Sequence, residues 1–172
     1  LARDDVPLVL EFVGMLLSTS PSLAQNWTRL GGFRVLERTL PPHWDVPCVL
    51  PWMWTLLLGP HAPKSSLYHT FAHATTVAHP QALRVIVQCM AHGMMARRTA
   101  PAKRRASLPD IPAPPPGLSA LEDSVRLLVV HSHNEDVRAL LMLAPTLVAV
   151  LRATAPCFVD EPCGPRVRAL GD

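Results

Sequence analysis

Three apolar runs constrain the fold of this chain more than any other feature, and they occupy residues 6–17, 46–58 and 139–151. Prolines and glycines separate these runs and the shorter apolar stretches between them. A helix that crosses a membrane needs roughly 20 apolar residues, so runs of this length predict buried core helices. No stretch of useful length alternates apolar and polar residues as a strand does. The pattern therefore predicts an all-α protein.

The prolines and glycines also suggest where the helices of the first half begin and end. Asp45 reads as the N-cap of the third helix, and Pro47 suits its first turn because proline lacks an N–H that would need a partner. The first helix is apolar around most of its circumference, so we expect neighbours to surround it. The expected helices are residues 5–19, a short one from Gly31-Gly32 to Leu40, 45–58, a short one at 67–74, and 80–98. The periodicity of the last one predicts an apolar face formed by Leu83, Ile86, Val87, Met90 and Met94.

The second half contains an abrupt change of composition at residues 99–117, where proline, charge and small residues dominate. Such a segment cannot form a packed core, so we expect it to be disordered. Ser119 and Glu122 form a capping-box pattern for a helix that ends near His133, and Asn134 reads as the cap of the next helix. The sequence thus divides into a helical repeat segment (1–98), a disordered basic loop (99–117), a helical hairpin (118–155) and a tail (156–172).

Paired helices joined by short turns are typical of armadillo or HEAT solenoids. The repeat length is irregular, so an irregular helical bundle is the alternative. The chain is 49% hydrophobic and 17% charged, against a usual charged share of about 25%. We therefore expect a large core, together with apolar surface that covers a neighbouring segment of a longer, cytosolic protein. No signal peptide is visible, and Leu1 is not a methionine.

Net charge and cysteine spacing narrow the class of function. The net charge is +3, and much of it comes from one cluster of basic residues between Arg97 and Arg105. Aromatic residues make up 5% of the chain, whereas nucleic-acid surfaces interleave aromatics with basic residues along a face, so we expect no nucleic-acid partner.

Cys48 and Cys89 read as small core residues, and Cys157 with Cys163 have a spacing that permits a disulfide in an oxidising compartment.

Residue pairs with catalytic or metal-binding potential have simpler structural explanations. His69 and His73 lie four apart, but a third metal ligand is not evident. His131 and the residues up to Asp136 fit the end of one helix and the start of the next. Trp44, Trp52 and Trp54 are read as core anchors, with an interaction surface as the alternative. We expect no enzyme activity, no cofactor and no metal.

The sharpest local motif is Lys103-Arg104-Arg105-Ala106-Ser107-Leu108-Pro109. Arginines just before a serine are recognised by basophilic kinases, and Arg104, Arg105 and Pro109 around Ser107 resemble a 14-3-3-type adaptor site. Phosphorylation would place about −1.5 to −2 charges in the basic loop. The motif predicts Ser107 as a phosphorylation site, and a solvated linker without a regulatory role is the alternative.

One family resemblance covers residues 6–60. Three features carry it: a Leu-rich helix that ends at Ser20-Pro21-Ser22, a second helix with Gly32-Phe33-Arg34-Val35-Leu36, and the entry Asp45-Val46-Pro47 into an apolar helix. Together they resemble the helical region of BEACH-domain scaffolds. The nearest pattern is that of the ALFY-like subgroup, which carries WD repeats and a FYVE domain.

The resemblance implies a non-catalytic, armadillo-like segment of a cytoplasmic scaffold in vesicle trafficking or selective autophagy. Its partners would be other proteins and neighbouring helical repeats of the same chain. Association with endosomal or autophagic membranes would come from the BEACH, FYVE and WD modules, which are absent from these residues. The alternative is a free-standing helical adaptor that phosphorylation of the basic loop regulates.

Overall fold

The computed structural model describes residues 1–99 and 117–142, and every regular element in these two ranges is helical. The all-α prediction is therefore confirmed. The helices are α1 (Val6–Thr19), α2 (Pro21–Arg29), α3 (Gly32–Thr39), α4 (Val49–Leu58), α5 (Leu67–Phe71), α6 (Ala82–Thr99), α7 (Gly117–His131) and α8 (Glu135–Leu141). Two 3-10 turns, Arg3–Asp5 and Pro41–His43, precede α1 and follow α3.

The first helix buries one face and leaves the opposite face open, which corrects the expectation that neighbours surround it. Its buried side chains follow helical spacing along the face toward the core; they are Val6, Leu10, Val13 and Leu17. The helix packs against α2 and α4. Gly14 lies against the indole of Trp52 on α4, where an added Cβ would be 3.2 Å from the ring.

A helix that the sequence analysis missed, α2, follows α1 directly. We read Ser20-Pro21-Ser22 as a stop, but only Ser20 is extended (φ −155°), and Pro21 occupies the first turn of the new helix. Proline suits that position because its fixed φ is already helical. Gly31 then has a φ of +80°, a left-handed conformation that glycine adopts without strain, and this turns the chain into α3.

The fourth helix begins at Val49, four residues later than predicted, and Asp45 does not cap it. The Asp45 carboxylate instead accepts hydrogen bonds from the Arg3 guanidinium at 2.8 and 2.9 Å. The predicted end of the helix is confirmed, since Gly59 follows Leu58 with a φ of +85°. Seven of its ten residues are buried, so α4 lies at the centre of the core.

The sixth helix is the second central element and packs against α3, α4, α7 and the 3-10 turn after α3. Its predicted apolar residues Leu83, Ile86 and Val87 are buried, and so are Val85 and Cys89. Gly93 allows the close approach of two neighbours, because a Cβ there would lie 3.0 Å from the side chains of both Trp44 and Leu121.

The seventh and eighth helices lie within the segment 118–155 that was predicted to be a helical hairpin, apart from Gly117 at the start of α7. Ser119 lies inside α7, which begins at Gly117, so the capping-box prediction for Ser119 and Glu122 is wrong. The Asn134 prediction is confirmed, since its Oδ1 accepts a hydrogen bond from the Val137 backbone N–H at 3.4 Å. Within the described ranges, no helix combines the length and the hydropathy needed to cross a membrane.

Candidate interaction surfaces

A row of exposed apolar side chains on α1 is the most conspicuous surface feature of the described residues. Leu8, Phe12 and Met15 are 67%, 62% and 61% exposed. Their spacing of four and three places them on one face of the helix. That face is opposite the buried residues Leu10 and Leu17, so α1 presents apolar side chains both to the core and to solvent.

The one charged side chain that α1 places beside this row, which we call the α1 row, is acidic. Glu11 is exposed beside it, and α1 contains no lysine or arginine. Contiguous exposed apolar side chains on a soluble domain usually mark a contact with another protein element. The sequence indicated an exposed apolar face on α1 only through the nearly uninterrupted apolar circumference of the helix. Periodicity alone could not tell which half of that circumference is buried.

A buried polar cluster joins α4, α5 and α7 inside the molecule. The indole Nε1–H of Trp54 donates a hydrogen bond to Ser124 Oγ at 2.9 Å, and that hydroxyl donates to the Ala120 carbonyl at 2.7 Å. The Asp123 carboxylate accepts a hydrogen bond from the Tyr68 backbone N–H at 3.1 Å. Every group in these contacts has a partner, which is what burial of polar atoms requires.

His131 belongs to the same region and is the last residue of α7, in agreement with the helix end that the sequence analysis predicted there. Its ring is 3% exposed, lies 5.9 Å from the Trp54 ring, and places Nε2 3.0 Å from the Phe71 carbonyl oxygen. Burial lowers the pKa of His131 below its usual value, and the bond to the carbonyl offsets part of that change. The neutral imidazole therefore donates to Phe71 and supports the core.

The remaining sequence candidates divide between the core, the surface and the residues outside the described ranges. Trp54 is fully buried, while Trp44 and Trp52 are half-buried against the core, in agreement with the core-anchor interpretation. His69 and His73 are both exposed. Among the described residues, no group of three or more histidine, cysteine or acidic side chains is arranged to hold a metal ion.

The cysteines show no sign of a reactive thiol in the described part of the chain. Cys89 is buried, and burial raises its pKa to about 12; burial also raises the pKa of the half-buried Cys48. A thiol with a raised pKa is a poor nucleophile. Cys157 and Cys163 lie outside the described residues, as do Arg104, Arg105, Ser107 and Pro109.

Comparisons of the chain with protein-family models, with curated proteins and with solved structures found no match. The resemblance to BEACH-domain scaffolds thus depends on residues 6–60 of the sequence alone and stays a prediction.

Proposed function

We propose that this chain is a non-catalytic helical segment of a larger cytoplasmic scaffold and that it provides a protein-binding surface. The single observation that carries the proposal is the α1 row, in which Leu8, Phe12 and Met15 are exposed on the face opposite the core. Each would gain roughly 1.5–3 kcal/mol from full burial. A helix with two apolar faces is what an inner helix of a stacked helical array requires.

The occupant of the α1 row that fits its chemistry is an amphipathic helix from a neighbouring helical repeat. Side chains at positions i, i+4 and i+7 present a ridge about two turns long, which matches the groove of one packed helix. Glu11 beside the row favours a basic residue at the edge of the occupant. This arrangement continues a solenoid at its α1 side.

The BEACH-type parent, with a role in vesicle trafficking or selective autophagy, extends this proposal through the sequence resemblance. Such a parent would need both stacked neighbours and protein partners for this segment, with membrane contact supplied by its other modules. Reading the open reading frame that contains the chain tests this extension. A downstream BEACH–WD array supports it, and a frame that encodes a different set of domains contradicts it.

Binding of a defined amphipathic peptide tests the α1 row. The probe is a labelled helical peptide with leucine on one face and lysine on the other, and its fluorescence polarisation is titrated with the chain. Phe12→Ser should weaken binding by about tenfold, because it removes the central apolar contact. Val129→Ser on α7 is the matched control, since Val129 is also 62% exposed and lies outside the row.

Equal weakening by both variants would contradict the proposal, because it would show nonspecific adhesion of the peptide. Sedimentation equilibrium without the peptide tests whether the chain associates with itself. A dimer that Phe12→Ser dissociates would assign the row to self-association and overturn the neighbouring-repeat proposal. Circular dichroism of each variant establishes that the helices are intact.

A further inference from the structure

A second surface, formed by α2 and α3, has a different chemistry from the α1 row. The turn between these helices borders a cavity of about 450 Å³ that three exposed arginines line, namely Arg29, Arg34 and Arg38. No acidic residue lines this cavity. An adjoining cavity of about 420 Å³ shares Arg34 and Arg38 and adds Arg84 and Glu37. We call the two together the arginine groove.

The pairing of charges leaves the groove positive. Glu37 is the one carboxylate among the residues that line it, and its Oε1 accepts a hydrogen bond from the Arg84 guanidinium at 2.9 Å. Within the described residues, no carboxylate lies within ion-pair distance of Arg34 or Arg38. Arg29 makes only a 3.3 Å contact with the neutral Asn26 side chain. The guanidinium groups of Arg34 and Arg38 thus remain available to a ligand.

The spacing of these arginines costs stability in the isolated chain. Arg34 and Arg38 are four residues apart on α3, where like charges repel each other. Arg34 also lies in the first turn of the helix, where the macrodipole disfavours a positive charge. An anionic ligand that contacts both guanidinium groups removes this repulsion.

Exposed apolar side chains inside the groove identify the kind of anion. Leu30 is 80% exposed and Val35 is 56% exposed, and both line the same cavity as the three arginines. Phosphate backbones make no apolar contact with such side chains, and the groove has no aromatic residue on which a base could stack. A peptide with alternating acidic and apolar residues matches both parts of the lining, since guanidinium groups bind carboxylates in a bidentate geometry.

We propose that the arginine groove is a docking site for an acidic peptide segment, whose carboxylates contact Arg34 and Arg38 and whose apolar side chains contact Leu30 and Val35. This site is independent of the function proposed for the α1 row. A protein that carries both surfaces can stack on a neighbouring repeat and recruit an acidic partner at the same time. The Arg84–Glu37 ion pair engages the one carboxylate that lines the groove and leaves Arg34 and Arg38 without an acidic partner among the described residues.

Fluorescence polarisation with a labelled peptide of alternating glutamate and leucine tests the proposal. Replacing Arg34 and Arg38 together by glutamine should weaken binding by about tenfold or more, because two charge-assisted contacts are lost. Arg138→Gln on α8 is the matched control for loss of charge at an exposed arginine and should leave binding unchanged. Glu37→Gln should strengthen binding severalfold, because it removes the competing carboxylate and frees Arg84.

A peptide with glutamine in place of glutamate should bind far more weakly. Added salt should weaken the binding of the acidic peptide. Binding that is equal for the two peptides would overturn the proposal, as would weakening by Arg138→Gln as large as that of the double variant. A labelled DNA duplex and anionic phospholipid vesicles serve as competing probes. Tighter binding of either one, with the same dependence on Arg34 and Arg38, would reassign the groove to that ligand and overturn the peptide proposal.

Discussion

Gly32 shows how one missing side chain permits a close contact between two helices. The indole of Trp27 on α2 lies directly against Gly32, the first residue of α3, and a Cβ at that position would overlap the ring. The ring is held in this place by packing alone, because Trp27 Nε1 is buried with no hydrogen-bond partner among the described residues. The contact therefore tolerates only glycine.

We expect Gly32→Ala to destabilise the protein by about 1–3 kcal/mol, because forced overlap in a packed contact outweighs the helix propensity that alanine adds. Urea denaturation measures the loss. Gly93→Ala is the comparison and should cost less, since its Cβ would meet the Leu121 and Trp44 side chains at 3.0 Å, a tight contact that a small shift of those side chains relieves. The double variant with Trp27→Leu should recover part of the loss. A Gly32→Ala variant as stable as wild type would show that the contact is not tight.

Phosphorylation of Ser107 is a second prediction that concerns a single residue, and it comes from the sequence motif alone. Incubation with a basophilic kinase should add one phosphate to the wild-type chain and none at this position in Ser107→Ala, as intact-mass analysis would show. Arg104 and Arg105 should both be required, because the kinase recognises positive charge before the serine. Equal phosphate uptake by wild type and Ser107→Ala would refute the assignment.

At the scale of elements, α5 is the helix that depends most on a side chain from elsewhere. It has five residues and is too short to be stable by itself. The Ser66 hydroxyl caps its start by accepting a hydrogen bond from the His69 N–H, and Asp123 of α7 accepts one from the Tyr68 N–H. Position 123 thus ties α5 to α7.

We expect Asp123→Ala to increase amide hydrogen exchange in α5 well before it affects α4. A buried N–H that loses its acceptor costs about 1–3 kcal/mol. A short helix that is destabilised by this amount opens locally more often. Asp123→Asn, which keeps a side-chain oxygen, should retain most of the protection. Uniform loss of protection through α4 and α5 would show instead that the helices open as one cooperative unit.

At the scale of the whole molecule, the buried His131 and the half-buried His79 make stability depend on pH. Burial lowers the pKa of His131, and also that of His79, whose ring lies 6.0 Å from that of Phe33. Because the folded-state pKa of each is below the unfolded value near 6.5, the unfolded chain binds more protons as the pH falls through 6.5. Stability should therefore fall on acidification until the pH is below the folded-state pKa.

The measurement is the urea midpoint between pH 7.5 and pH 5.5, a range above the ordinary titration of carboxyl groups. The midpoint should decrease with pH in the wild type, and the double variant His79→Gln with His131→Gln should show a flatter profile. His133→Gln is the control, because His133 is exposed. An identical slope in the wild type and the double variant would assign the pH dependence to other groups.

The helical class and several helix ends were predictable from the order of the amino acids. The turn at Gly59 and the cap at Asn134 were predictable because a glycine C-cap and an asparagine N-cap act on backbone groups within one turn of themselves. The apolar face of α6 followed from its periodicity for the same reason, since neighbouring residues alone set the spacing. The start of α2 at Pro21 was a local signal too, but proline both ends and begins helices.

The contacts between groups far apart in the chain were not predictable in this way, because they depend on how the helices pack. Asp45 looked like a helix cap, but it pairs with Arg3, 42 residues away. His131 lies at the end of α7 as predicted, and the structure adds its bond to Phe71, 60 residues away. The two surfaces of α1 and the free arginines of α3 depend likewise on which neighbours cover each helix. Burial is a property of distant contacts, so local patterns predicted the helices and could not predict their exposed faces.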